Sequence, residues 1–191
     1  MRLDEVADII SGVPFRSKIK HSDDGEFLVV QMKDLLGRGV DWGGVVRTNV
    51  KSVNGERCLQ LGDTLLVARG DRNRAAYIDH VPGSGLCSPH FYIVRAKSSS
   101  TLNPIFLNWY LGQKPAQSYF KRNAQGSGVL SVSREVVEGL SVPSIVIEEQ
   151  NKIASYISSV FKHQEALYKL IENDQTIMDG LAQSLAKNEL R

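Results

Sequence analysis

The sequence has few cysteines, few histidines and no long apolar run, and each of these shortages excludes a class of protein. Two cysteines, Cys58 and Cys87, occur among 191 residues, which makes a disulfide scaffold improbable and predicts free thiols in a reducing cytoplasm. The apolar runs are a few residues long, too short to span a bilayer. The N-terminus becomes acidic at Asp4 and Glu5 and lacks the apolar core of a signal peptide. We therefore expect a cytoplasmic globular protein.

Recognisable catalytic patterns are also missing. The sequence has no phosphate-loop signature and no nucleophile elbow, its four histidines include no pair at metal-ligand spacing, and its carboxylates are not clustered as a metal-dependent nuclease requires. His90 could read a base or act as a catalytic base, but a hydrogen-bonded core or rim histidine is the favoured interpretation. Asp63 follows Gly62 in a predicted turn, where it would cap backbone amides. We expect no enzyme activity, no metal and no cofactor in this chain.

Positive charge is concentrated in the N-terminal part of the chain. Residues 1–146 carry 18 basic and 14 acidic side chains, whereas residues 147–191 carry 5 and 7. The basic residues form three clusters beside turn-forming residues, where loops present side chains to partners. Each cluster alone is equally compatible with a solvated surface, and a salt-bridged loop using Asp71 is the alternative for the second. Together they favour an anionic polymer, and the candidate DNA-binding residues are Arg16, Lys18, Lys20, Arg69, Arg72, Asn73, Arg74, Lys121, Arg122, Gln125 and Ser127.

Hydrophobic spacing predicts an α+β fold. The apolar positions of residues 3–10 follow helical spacing and predict a short opening helix. Short β-branched and aromatic runs then predict a mixed or antiparallel sheet, with strands at residues 27–32, 44–48, 64–68, 76–78 and 91–94. Asn103-Pro104 predicts a helix start, a second apolar face follows around residues 116–120, and Ser133 predicts the N-cap of a short helix. These elements predict a domain over residues 1–146.

Residues 147–191 predict one long helix. Its apolar positions alternate in steps of four and three, which is the heptad pattern of a coiled coil. Gln164 and Asp174 interrupt this seam with polar residues, which can set register and oligomeric state. Because one stripe is apolar, we expect the helix to pair with a partner; the alternative is that it folds back on its own domain. The seam consists of Ile153, Ile157, Val160, Gln164, Leu167, Ile171, Asp174, Met178, Leu181 and Leu185.

The order of these pieces resembles the specificity subunit of Type I restriction-modification systems. The strongest match is Val142-Pro143 followed by Ile147-Glu148-Glu149-Gln150-Asn151-Lys152-Ile153, which is similar to the junction that leads into the spacer helix of that family. Looser matches cover residues 3–12, 61–66, 102–111, 116–120 and 126–133. The resemblance is to one half of such a subunit, a single target recognition domain followed by one spacer helix.

This resemblance implies a sequence-specific double-stranded DNA-binding subunit without chemistry of its own. It would position methyltransferase and restriction subunits on a bipartite target, and those subunits would bring S-adenosylmethionine, ATP and Mg²⁺. Full subunits of the family carry two recognition domains, so the resemblance implies a half subunit or a fragment. Two copies pairing their long helices as a homodimer would read an inverted repeat. The alternative function is a structural adaptor that recruits a protein through its coiled-coil helix and does not bind DNA.

Overall fold

The computed structural model describes residues 1–70, 73–126 and 129–189. The chain divides into two compact units, Met1–Asn151 and Lys152–Arg191. Among the described residues, the strands are β1 (Ala7–Ser11), β2 (Phe27–Val30), β3 (Leu35–Leu36), β4 (Gly39–Val40), β5 (Val46–Thr48), β6 (Thr64–Val67), β7 (Ala75–Tyr77), β8 (Ser84–Cys87) and β9 (Phe91–Ala96). The helices are α1 (Leu3–Val6), α2 (Pro104–Leu111), α3 (Lys114–Asn123), α4 (Arg134–Glu138) and α5 (Ile147–Glu189).

Two sheets and a small hairpin form the β part of the first unit. The larger sheet has the order β1-β9-β6-β7 with antiparallel neighbours throughout. The smaller sheet has the order β5-β2-β8, in which β5 is antiparallel and β8 parallel to β2. Strands β3 and β4 pair with each other as the hairpin. The predicted combination of mixed sheet and helices is therefore confirmed.

The hydrophobic core lies between these sheets. Leu65, Phe91 and Ile93 of the larger sheet are fully buried and share one cluster with Val30 of β2 and Cys87 of β8. The burial of this thiol raises the pKa of Cys87, because a buried thiolate would lose its hydration. Cys87 is therefore a core residue that stays protonated, and both cysteines are free thiols, as expected.

The predicted opening helix over residues 3–10 is wrong in its second half. The helix α1 ends at Val6, and residues 7–11 form strand β1, which pairs with β9 from Ala7 opposite Ala96 to Ser11 opposite Tyr92. Ala7 and Ile9 are buried while Asp8 is exposed, so the side chains alternate as in a strand. The apolar spacing of this segment also fits a helix, but pairing with β9 decides that residues 7–11 form a strand.

Other boundaries differ by smaller amounts. The strand predicted over residues 27–32 ends at Val30, and a short 3₁₀ helix, Met32–Asp34, follows it. Strand β8 was not predicted. The helix start at Asn103 is confirmed, since its side chain accepts hydrogen bonds from the backbone N–H groups of Ile105 (2.9 Å) and Phe106 (3.1 Å). Ser133 caps α4 as predicted, accepting from Val136 N–H at 3.3 Å.

The predicted long helix is confirmed as α5, which has 43 residues. Its start belongs to the first unit, where the Gln150 side chain is completely buried. Within the second unit Ile157 is buried, and Ile153 and Val160 are half-buried. From Gln164 onward the side chains of the predicted seam are exposed: Leu167 by 51%, Ile171 by 64%, Met178 by 64%, Leu181 by 58% and Leu185 by 67%. Among the described residues, none of the helices combines the length and apolar character that crossing a bilayer requires.

Candidate nucleic-acid interface

Two of the three basic clusters follow strands that terminate at the same end of the larger sheet. Strands β1 and β6 both pair antiparallel with β9, so they run in the same direction. Ser11, the last residue of β1, lies opposite Tyr92, and Val67, the last residue of β6, lies opposite Phe91. The loops after β1 and β6 therefore leave the sheet where β9 begins.

The loop after β6 is fastened to the segment 130–132 by backbone hydrogen bonds. The N–H of Gly70 donates to the carbonyl of Leu130 at 3.0 Å, and the N–H of Val132 donates to the carbonyl of Ala68 at 2.8 Å. Arg69, between them, forms an isolated β-bridge with Ser131. The Arg69 side chain is exposed. The backbone around Arg69 is thus held by hydrogen bonds to the segment 130–132, while the Arg69 side chain faces solvent.

The third cluster reaches the same place through Ser131. Gln125 and Ser131 exchange two backbone hydrogen bonds, at 2.9 and 2.8 Å, so Ser131 lies between Arg69 and Gln125. Lys121 and Arg122 are exposed in the last turn of α3, where cations interact favourably with the helix dipole. We call the surface formed by Arg69, Asn73–Arg74 and Lys121–Gln125 the basic edge.

Asn73 and Arg74 also make contacts inside the protein. The side-chain amide of Asn73 donates to the carbonyl of Val67 at 2.8 Å, and its own backbone carbonyl accepts from the Gln117 side chain at 2.8 Å. Arg74 donates from Nη2 to the carbonyls of Leu35 (3.2 Å) and Gly37 (3.3 Å). These bonds close the loop onto β6, α3 and the β3–β4 hairpin. Arg74 is nevertheless exposed and has further N–H donors for a ligand.

The contacts that position the first cluster are with the smaller sheet. After β1 the chain turns along the smaller sheet, where Phe15 and Ile19 pack against the cluster that contains Phe27 and Val29. It returns at Ser22, whose N–H donates to the carbonyl of Arg47 at 2.9 Å, beside the start of β2. Arg16, Lys18 and Lys20 are exposed along this path. Their role in DNA binding stays a prediction.

Two predicted DNA-binding residues, Arg72 and Ser127, lie outside the described residues, as does Asp71, the predicted salt-bridge partner. His90 is exposed just before β9, and its carbonyl accepts a hydrogen bond from the N–H of Ala68 at 2.8 Å. This places His90 on the rim of the sheet, beside Arg69. No sequence pattern links these positions, because the bonds that join them are between backbone groups.

Other polar groups near this edge have structural partners. The Tyr92 hydroxyl donates to the carbonyl of Val132 at 3.3 Å, and burial raises the pKa of Tyr92, which keeps it a neutral donor. Asp63 caps its turn as predicted, accepting from Gln60 N–H at 2.8 Å, and is buried beside Arg95. Over residues 1–70, 73–126 and 129–189, no group of three or more His, Cys, Asp or Glu side chains is placed to hold a metal ion.

The architecture is thus an α+β domain with a basic edge, followed by a long helix whose distal seam is exposed. The chain belongs to the family described as Type I restriction modification DNA specificity domain, whose family model matches residues 1–183. The sequence-based family prediction is confirmed. No curated protein matches the chain.

Solved structures share this fold over most of the chain. The S subunit of a Type-I restriction-modification system from M. genitalium is 18% identical, with a TM-score of 0.62, over 92% of this chain and 42% of that one. The HsdS subunit from Thermoanaerobacter tengcongensis is 18% identical, with a TM-score of 0.59, over 88% and 38%. A chain from a structure of the type I R-M system is 18% identical, with a TM-score of 0.62, over 87% of this chain and 39% of that one. This chain therefore spans about two fifths of the length of these structural relatives.

Proposed function

We propose that this chain binds double-stranded DNA sequence-specifically as the specificity subunit, or half subunit, of a Type I restriction-modification system. The observation that carries the proposal is the junction at Ser131, which joins the Arg69 loop to Gln125 and the end of α3. Exposed cations there would contact phosphates and supply affinity, whereas a few side chains would contact base edges and supply specificity. Family membership supports this reading of the basic edge.

In this proposal the chain is not an enzyme but a DNA-recognition subunit. It would position separate methyltransferase and restriction subunits in the cytoplasm, and those subunits would bind S-adenosylmethionine, ATP and Mg²⁺. The chain itself would need no cofactor. This division of work is supported by family membership rather than by any contact in the chain.

The proposed working form is a homodimer through α5. The exposed apolar seam from Leu167 to Leu185 supports it, since a helix that exposes one apolar stripe needs a partner. Paired antiparallel, two helices would place two recognition domains at opposite ends. Such a two-fold dimer would read an inverted repeat, with the unread spacer set by helix length.

A salt titration of DNA binding tests the proposal at the level of single side chains. The purified chain is titrated onto a fluorescent duplex over a series of salt concentrations, and Arg69→Ala and Lys121→Ala are compared with the native protein. If a replaced residue contacts a phosphate, affinity should fall on all sequences. The negative slope of log affinity against log salt should then become shallower by about 0.9. Lys162→Ala, which removes an equally exposed cation from α5, is the matched control and should change neither value.

Two outcomes oppose the proposal. Binding that does not respond to salt would exclude phosphate contacts at the basic edge. Absence of binding, together with capture of a protein by the α5 helix, would favour the adaptor function instead.

A further inference from the structure

Three apolar side chains are exposed beside the basic edge. The phosphate contacts proposed for the charged residues give these apolar side chains no role. Met32 is 42% exposed, Val129 60% and Leu130 39%. Met32 and Leu130 both approach Gly70, and Val129 precedes Leu130 in the chain; we call these three residues the Gly70 patch. Exposed apolar side chains scattered singly need no explanation, but a group on a binding surface does.

The backbone fixes the position of the Gly70 patch. The N–H of Gly70 donates to the carbonyl of Leu130 at 3.0 Å. A Cβ atom on Gly70 would lie 3.9 Å from Cε of Met32, so Met32 and Leu130 approach the same glycine. Gly126 has φ +129°, and a Cβ atom there would lie 2.6 Å from the carbonyl oxygen of Val129. Only glycine therefore fits at 126, beside the carbonyl of Val129.

Cations border the Gly70 patch on both of its segments. Lys33 follows Met32; its side chain is 61% exposed, and its Nζ lies 3.6 Å from Oδ1 of Asp34. Arg69 precedes Gly70 and is exposed. Two cations beside the patch would attract the phosphates of DNA, whose protein interfaces are much more positively charged than protein–protein interfaces. The surroundings of the patch therefore favour DNA as its occupant.

One apolar group is available on the edges of DNA bases. In the major groove thymine presents its C5 methyl group, which apolar side chains contact. We propose that the Gly70 patch is a specificity-determining surface in which Met32 and Leu130 contact the methyl group of a thymine in the target. This inference rests on the proposed function, because it requires that the basic edge binds DNA.

Replacement of thymine by uracil tests this contact, because uracil lacks only the methyl group. A duplex enriched from a randomised pool by the native chain is prepared again with each thymine replaced in turn by uracil. At one position the native protein should bind the uracil duplex about fourfold more weakly, the value expected for one buried methyl group. The double variant Met32→Ala/Leu130→Ala should bind the two duplexes equally. Leu61→Ala is the matched control: Leu61 is 70% exposed at the opposite end of β6, and this variant should keep the fourfold preference.

The outcomes separate this inference from the proposed function. A double variant that is folded by circular dichroism and keeps the preference for thymine would overturn the methyl contact. The methyl contact would also be overturned if no thymine-to-uracil replacement in the target weakened binding. Sequence-specific binding would still stand in that case. A double variant that loses a methyltransferase subunit but shows no change with uracil would assign the patch to a protein. A chain that enriches no DNA, either alone or with methyltransferase subunits added, contradicts the proposed function itself.

Discussion

Asp63 and Arg95 form a two-point ion pair that joins the start of β6 to β9. Nε of Arg95 lies 2.7 Å from Oδ1 of Asp63, and Nη2 lies 2.8 Å from Oδ2. Asp63 is completely buried, and its Oδ2 also accepts from the N–H of Gln60 at 2.8 Å. Nη2 of Arg95 further donates to the carbonyl of Cys58 at 2.8 Å. The hydrogen bonds with Asp63 raise the pKa of Arg95, so the guanidinium stays charged.

Asp63→Ala should lower the free energy of unfolding by about 3–5 kcal/mol, because it leaves a partly buried guanidinium without its carboxylate. Denaturant unfolding followed by circular dichroism measures this change. Asp79→Ala is the matched control, since Asp79 is 73% exposed beside His80, and it should cost about 1 kcal/mol or less. Equal effects of the two substitutions would contradict a structural role for the pair.

Gln150 is a second buried polar residue, within the motif by which the sequence resembles its family. Its Nε2 donates to the carbonyls of Thr101 and Ile145, both at 2.9 Å, and its Oε1 accepts from the N–H of Asn103 at 2.9 Å. Gln150→Ala should destabilise the protein by about 3 kcal/mol, because it leaves backbone groups unpaired in a buried place. Thermal and denaturant unfolding measure the effect. Gln183→Ala, at an exposed position of α5 outside the seam, should be neutral, and an equal loss there would contradict the structural role of Gln150.

The helices of this fold could be predicted better than its strands. Asn103, Pro104 and Ser133 are local helix signals, and each acts through neighbours in sequence. Strand β1 has no such local signal, since its apolar spacing fits a helix until pairing with β9 is known. Strand β8 reads Ser-Gly-Leu-Cys, a composition with low strand propensity. Its place is decided by parallel pairing with β2, which a sequence pattern does not reveal.

The candidate site also has a part that local sequence predicts and a part that depends on tertiary contacts. Clustered basic residues identified Arg69, Lys121 and Arg122 as exposed cations. The union of two clusters at Ser131 depends on backbone hydrogen bonds between distant segments. The internal bonds of Asn73 and Arg74 use carbonyl acceptors that every residue carries. Sequence patterns therefore indicated the charge, and tertiary pairing decided which charges share a surface.

The two cysteines should differ in reactivity. Cys87 is completely buried and the pKa of its thiol is raised by burial, so very little thiolate exists at neutral pH. Cys58 is half-buried. Under native conditions iodoacetamide should label Cys58 first, and Cys87 should react only after denaturation. Mass spectrometry of proteolytic peptides measures both rates, and faster native labelling of Cys87 would contradict its place in the core.

Dimerisation through α5 is tested by a charge in the exposed seam. Ile171→Asp should weaken or abolish a homodimer, because a carboxylate at a seam position would be buried without a partner. Asn173→Asp adds the same charge two residues away, outside the seam, and should leave the assembly unchanged. Sedimentation equilibrium of the native chain and both variants measures the association. A native chain that stays monomeric at high concentration would exclude the homodimer.

Selection from randomised duplex DNA measures whether this chain recognises a DNA sequence. The purified chain retains duplexes at moderate salt, and the retained pool is sequenced. We expect an enriched inverted repeat with a fixed unread spacer, which would report both specific recognition and the paired helices. A retained pool with no enriched sequence, both for the chain alone and with methyltransferase subunits added, would contradict it.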